Sequence, residues 1–488
     1  MYHEHPLRIL RYSAKNIWLL IFPLIRGIYA ATLDVDKLYR WLKGAWFDIA
    51  VILVILLFGL LRWHFSTITI NDRAIIHKDG VCVKVITSIP FERISSVTAE
   101  HSFYLRPFKG MKISCDTSAG IFKSSDMKLM VSRKVYDELI KKMPVKKGTE
   151  EMNFQHKANP LSVILFSVFF SSSFSGAVYL AAFFFKGGDI ATDIISMSLE
   201  KITQEMSKLQ KFLIVNIPTA AIGIGAILLM TWFISFIFNL LRYSGFCIKG
   251  NIGRIEIICG TFTRCRYRIT APHINYTDLR QSLIMKFCRA VTVNISCAGY
   301  GAVNKQLPVL FPIRKAKSGE HISGVGEAEL FAGRKPDFRP KPTSFWQYIW
   351  QPVIAAAAVY PVSLIVTFFF PKLADFADFL LIMAEIPVIW LIIVRLTSLF
   401  TSGISIRDGK IAVKYSRGFA FHTVIAEQSR LVKISAIQTP FQRIFHKCNL
   451  GFYFNGEQSQ RHYVRAIKIT DAEKIAEKLN YHIEFKHI

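Results

Sequence analysis

Residues 89–120 read IPFERISSVTAEHSFYLRPFKGMKISCDTSAG, and its recurrence decides the fold. Ile94 anchors the stretch, Arg106 follows twelve residues later, and Gly120 closes it. The arrangement returns twice. Residues 258–301 carry Ile274, Lys286 and Gly299, and residues 416–456 carry Leu431, Arg443 and Gly456. A glycine also precedes each anchor by thirteen or fourteen residues: Gly80, Gly260 and Gly418. The anchors are unequally spaced, which marks a divergent triplication rather than a solenoid of fixed period. The bases at Arg106, Lys286 and Arg443 are candidate lipid-phosphate contacts. Their fixed spacing favours a structural role.

Working outward, a turn dipeptide opens each copy: Asn71-Asp72, Gly250-Asn251 and Asp408-Gly409. Short β-rich runs flank the turns, as in TITI (67–70) before AIIH (74–77) and ISIR (404–407) before IAVKY (411–415). Apolar residues around such turns predict hairpins. A helix closes copy one over 132–143, with Ser132 as N-cap. Another closes copy three over 470–479, with Thr470 or Asp471 as N-cap and Ile475 and Leu479 on one face. In copy two, Pro and Gly interrupt the matching region. Each copy is predicted to be a small antiparallel sheet or partial barrel with a terminal helix.

Composition places these copies beside a membrane. The chain is 52% apolar and 13% aromatic, yet carries a formal charge of +27. That is too apolar for an ordinary soluble enzyme, and its basicity suits an anionic leaflet better than nucleic acid. Six apolar stretches are candidate spans: 16–32, 46–64, 161–185, one within 212–241, 345–370 and 379–400. Trp46, Trp63, Trp346 and Trp350 lie at their ends, as interfacial aromatics do. The spans form pairs with short connections, and a long polar stretch follows each pair. Those connections hold eight bases and eight acids, so the whole +27 falls on the rest. The positive-inside rule then puts the N-terminus and all three long stretches in the cytoplasm.

The fold class expected is therefore a polytopic α-helical membrane protein of six spans with three cytosolic β-rich domains. The predicted units are transmembrane pairs at 1–64, 149–241 and 334–400, and β domains at 65–148, 242–333 and 401–488.

The stretch IPFERISSV…LRPFKGMKISCDTSAG resembles the signature of bacterial PH-like domains. A tandem of such domains, each behind a transmembrane pair, is similar to the YdbT-like membrane proteins of Gram-positive bacteria. The resemblance implies a PH-like fold, a small sheet sandwich or barrel with a C-terminal helix, and no catalysis. It also implies a short one-module membrane protein as partner and a role in envelope stress and tolerance of membrane-active peptides. Copy two departs from the signature with Lys286 and Cys297-Ala298-Gly299, and copy three with Phe454-Asn455-Gly456. A ligand shared by all three copies is not expected.

Among candidate site residues, basic runs stand first. Lys141, Lys142, Lys146 and Lys147 precede the third span, and Arg334 and Lys335 precede the fifth; such bases attract anionic lipid headgroups. Arg264, Arg266 and Arg268 share one face of a strand, as headgroup contacts or as solvation of a sheet. Charges within spans are functional candidates by default. Arg26 is expected to pair with Asp48, and Arg395 to reach the inner surface. Glu385, two residues before Pro387, serves either packing or a proton- or ligand-linked site, the latter suiting a transporter or flippase-like protein. The segment 190–212 is a candidate amphipathic helix on the outer face.

No catalytic constellation stands out. GIGAIL (223–228) lies within a span and suits helix packing. His3-Glu4-His5 lacks the H-E-x-x-H spacing, and the eight cysteines include no C-x-x-C pair. No cofactor or metal is expected.

Overall fold

The computed structural model describes residues 2–14, 45–81, 83–117, 125–143, 154–170, 219–250, 253–297, 309–315, 334–371, 374–456 and 461–483. Copy one contains β1 (Tyr2–His3), α1 (Arg8–Ala14), α2 (Ala45–Phe65), β2 (Thr67–Ile70), β3 (Ala74–Asp79), β4 (Val85–Pro90), β5 (Ile94–Ser102), β6 (Gly110–Thr117), β7 (Met127–Ser132) and α3 (Arg133–Lys142). Copy two contains β8 (Phe154–Lys157), α4 (Pro160–Phe170), α5 (Thr219–Tyr243), β9 (Cys247–Gly250), β10 (Arg254–Cys259), β11 (Thr263–Thr270), β12 (Ile274–Ser282), α6 (Leu283–Phe287), β13 (Ala290–Cys297) and β14 (Val309–Lys315). Copy three contains α7 (Phe345–Phe369), α8 (Ala374–Thr401), β15 (Gly403–Arg407), β16 (Lys410–Arg417), β17 (Ala420–Glu427), β18 (Leu431–Ile437), α9 (Pro440–Ile444), β19 (Lys447–Phe454), β20 (His462–Lys468) and α10 (Ile469–Lys478).

Within each copy two antiparallel sheets face one another across a core. In copy one, Ile68, Ile75 and Ile89 meet Val97, Ile113 and Leu129, and α3 closes the end with Tyr136 and Leu139. In copy three, Ile411 and Val424 meet Leu450 and Phe452 beneath Ile475 of α10. The anchors mark one recurrent irregularity: a bulge falls between Ile94 and Ser96, Ile274 and Tyr276, and Leu431 and Lys433. Gly80 and Gly260 sit at positive φ, 115° and 95°, where an added Cβ would strike the carbonyl of Val83 or Thr263.

The sheets do not respect the repeat boundaries. The expected self-contained sheets are replaced by a seven-stranded sheet, β7-β6-β5-β11-β10-β9-β8, and a six-stranded one, β14-β13-β12-β17-β16-β15. Strand β5 of copy one thus pairs with β11 of copy two, and β12 of copy two with β17 of copy three. The physical reason is edge satisfaction, since a strand with a free row of N–H and C=O groups pairs with whatever matching edge is adjacent. A four-stranded sheet, β1-β2-β3-β4, and a three-stranded one, β18-β19-β20, stand at the two ends.

One helix start is as expected, without its capping bond, and one differs. α3 follows Ser132, whose side chain makes no capping bond, and α10 follows Lys468 rather than Thr470 or Asp471. In copy three, β20 runs straight into the helix, and the Ile469 N–H donates to the His446 carbonyl at 3.2 Å, which leaves no room for a separate cap. The matching helix of copy two falls outside the described residues, as do Gly120 and Gly299.

Two helical stretches among the described residues are long and apolar enough to cross a membrane: Pro342–Phe369 and Ala384–Thr401. Ile49–Phe65 is shorter and also apolar. These helices leave their apolar faces uncovered by protein: Ile49, Leu53 and Phe58 on α2 and Val362, Ile365 and Phe368 on α7 are all exposed. The first predicted span, most of the third and the segment 190–212 lie outside the described residues.

Candidate membrane-surface site

The repeated bases lead to one loop in each copy. It begins nine residues after the anchor and forms a short 3-10 or α-helical turn: Phe103–Leu105, α6 and α9. The turn closes identically three times. The N–H of Lys109, Arg289 and His446 donates to the carbonyl of Arg106, Lys286 and Arg443, at 3.1, 3.2 and 3.1 Å. The three donors sit at φ 52°, 52° and 50°, a left-handed conformation uncommon for residues other than glycine. Local side-chain bonds hold the turns of copies two and three. Ser282 Oγ accepts from the Met285 N–H, and Thr439 with Gln442 forms a capping box.

In copies two and three these loops lie beside the ends of the apolar helices α8 and α7, and in copy one the loop lies beside the short helix α1. His5 Nε2, three residues before α1, is 3.0 Å from the Phe108 carbonyl. Lys286 Nζ reaches Thr401 Oγ1, at the end of α8, at 3.3 Å. Lys447 Nζ reaches Thr343 Oγ1, just before α7, at 3.2 Å. The loops present large apolar side chains to the outside: Phe103 and Phe108, Ile284 and Phe287, and Phe441 and Phe445 are all exposed, Phe287 at 87%. Bases stand among them, with Arg106, Lys109, Arg289, Arg443 and His446 exposed. An aromatic and basic rim at the mouth of an apolar helix pair suits the headgroup layer, where the rings enter the interface and the cations meet phosphate.

Two of the repeated bases also serve the joints between copies. Arg106 donates to the carbonyls of Thr261 and Phe262 in copy two, and Phe262 meets Phe103 edge-on at 6.3 Å. Lys286 lies 4.1 Å from the centroid of Phe421 in copy three, and burial lowers its pKa below the usual lysine value.

The remaining candidates scatter. Lys141 is exposed on α3, whereas Lys142 bonds the Ile70 carbonyl and the Asp72 carboxylate, both at 3.2 Å. Lys146 and Lys147 lie outside the described residues. Arg264 is exposed, but Arg268 and Arg266 turn to the buried Glu256, at 3.1 and 3.5 Å. Their strand β11 lies mid-sheet and blunts no edge. Arg334 and Lys335 are exposed ahead of α7, and the Arg334 carbonyl accepts from Lys414 Nζ at 2.6 Å. Arg26 and the side chain of Asp48 lie outside the described residues. Glu385 is half-buried in α8, which runs through Pro387 unbroken. Arg395, expected to reach the inner surface, is 7% exposed and donates to the Ser416 carbonyl and hydroxyl at 3.0 and 3.1 Å. It ties α8 to the β domain behind it.

The first helix pair has a polar anchor that the sequence reading missed. Glu4, 1% exposed, pairs with Arg8 at 2.9 Å and lies 3.4 Å from His77 Nε2. Tyr12 donates to Glu4 at 3.0 Å, and Asp79 holds Arg62 at 2.8 Å. Glu4, Arg8 and Tyr12 follow at i,i+4 spacing, but Arg62 of α2 and His77 and Asp79 of β3 join them only in the fold. The exposed loop residues did leave a signal. Ten residues after each anchor stands Tyr104, Ile284 or Phe441, a large apolar residue two positions before the repeated base.

A family model described as a bacterial PH domain matches at residues 25–143, 210–323 and 357–483. Each match takes in the later helix of a pair together with the sandwich that follows. No curated protein and no solved structure matches.

Proposed function

The chain belongs to the bacterial PH domain family, and on that premise we propose that it is a non-enzymatic, multi-pass membrane scaffold. Its three sandwiches lie against the cytoplasmic leaflet and hold anionic lipid through the aromatic and basic loops. The observation that carries this reading is the coincidence of those exposed loops with the ends of helices whose apolar faces no protein covers. Bare apolar helical faces of this extent call for lipid as solvent. The formal charge of +27, which falls outside the short connections between spans, supports the cytoplasmic side. A role in envelope stress, protecting against membrane-active peptides together with a short one-module partner, rests on the resemblance alone.

A fluorophore placed on a Phe445→Cys chain in native-like bilayers tests the lipid contact. The expected result is a blue-shifted emission quenched by spin-labelled lipid, more strongly when the lipid is anionic. Emission typical of water and indifferent to the quencher would overturn the reading.

A further inference from the structure

Two strands break a pattern that the repeats otherwise keep. Among the described residues β5 and β12 each pair on both sides, and so do β11 and β17. Their counterparts in the outer copies, β18 and β4, have one neighbour each. Other sheet edges single nothing out, because β7, β14 and β20 are edges in every copy. Exposure follows the pairing. Ser96, Val97, Thr98 and Ala99 of β5 are buried, while Val432 and Ile437 of β18 are 63% and 45% exposed. Val85 and Ile86 of β4 are 57% and 61% exposed.

We propose that β18 of one chain pairs with β4 of a second copy, so that the protein assembles head to tail into a ring in the membrane plane. Both internal joints use a single register, and that register predicts the third. The residue three after an anchor faces the residue six before the next anchor: Val97 faces Arg268, and Thr277 faces Ile425. Both ladders then run in step to Ser102 opposite Thr263 and Ser282 opposite Ala420. Carried to the free edges, the rule sets Ile434 against Ser88, Ser435 against Thr87, Ala436 against Ile86 and Ile437 against Val85. The facing runs 434–437 and 85–88 hold no charge or proline, although Lys433 and Pro90, devices of the kind that protect edge strands, stand just beside them in the same strands.

The contacts that clasp the internal joints also have exposed counterparts at the ends. Arg106 and Lys286 each reach into the following copy, and the third base, Arg443, stands exposed. Arg430 donates to the Pro272 carbonyl of the preceding copy, and its counterpart Arg93 is exposed as well. A second copy offers both missing edges with their clasps. Because each joint repeats one register, a further copy continues the same rotation and keeps its apolar helices on the same side. Head-to-tail contacts of this heterologous kind close into rings when the rotation allows.

The test uses full-length protein in native-like bilayers. One tagged chain carries Ile434→Cys and a differently tagged chain carries Ser88→Cys, and the two are co-expressed and oxidised. A disulfide joining the two tags is expected, with Val432→Cys, out of register, as the unlinked control. Native mass spectrometry is expected to show integral multiples of the chain mass. Ala436→Pro, at the edge, is expected to reduce the assembly to single chains that still unfold in one cooperative transition, at a somewhat lower temperature. Single chains in the wild type, absence of the mixed-tag disulfide, or capture of a smaller single-copy protein by either cysteine would each overturn the proposal. Emission from the Phe445→Cys label reads lipid contact separately, so the two proposals can fail independently.

Discussion

His462 lies 1% exposed on β20, with its Nδ1 2.8 Å from the Tyr415 hydroxyl and the Tyr276 ring edge-on at 5.0 Å. Burial pushes its pKa down from the ordinary 6.5 to about 4, against the pull of the nearby Asp278 carboxylate. The sign follows from proton counting. Above pH 6.5 the histidine is neutral in both states and costs nothing. Between 6.5 and 4 the unfolded chain takes up a proton that the folded chain refuses, so stability falls as pH drops. At about 1.4 kcal/mol per unit, the loss reaches roughly 3 kcal/mol near pH 4. Thermal unfolding of wild type and His462→Gln across this window checks it: the wild type loses more, and parallel curves would refute the assignment. None of this was legible in the sequence. His462 is a lone histidine between polar residues, and only the fold brings Tyr276, from another copy, against it. Arg106 and Lys286 were different, because the spacing they share with Arg443 pointed to a structural duty before any contact was known.

At the scale of elements, the amphipathic closing helices were plain to read. Residues 470–479 place Ile475 and Leu479 on one face, and both are buried against copy three's sheets, at 0% and 2% exposure. Ile475→Ala leaves a cavity there and is expected to cost about 2–5 kcal/mol, the usual range for truncating a fully buried branched aliphatic. Chemical denaturation gives the number, and a loss below about 1 kcal/mol would mean that α10 does not hold the sandwich. The hairpins were legible for a similar reason, since turn chemistry is local. The start of α10 was not, because a strand that passes directly into a helix makes no use of the capping side chains that sequence reasoning looks for. The loop at 441–445 was half visible: its base was read from the repeat, but its capping box and the exposure of Phe441 and Phe445 emerge only in the fold.

For the whole molecule, the repeat was legible and the way its copies join was not. Alternating apolar residues show that β5 is a strand, but they do not show which edge it finds, and its partner β11 lies more than 150 residues away. Sharing of sheets changes how the molecule should unfold. Separate domains on a string would open one at a time. A shared sheet makes the opening of one copy expose the edge and core of the next, as in arrays stabilised by neighbour contacts. Thr98 is the place to measure this, because it faces Tyr267 of copy two on one side and Ser114 of its own copy on the other. Thr98→Pro removes a ladder donor in a central strand and is expected to cost roughly 3 kcal/mol or more. Hydrogen exchange is expected to lose protection in β9–β11 together with β5–β7, while β18–β20, two joints away, stay protected. Loss confined to residues 94–132 would show that the copies fold independently and that the joint is only a contact. Joint loss would mean instead that the three copies behave as one cooperative frame, rigid enough to fix the spacing of the helices and the exposed aromatic and basic loops attached to it.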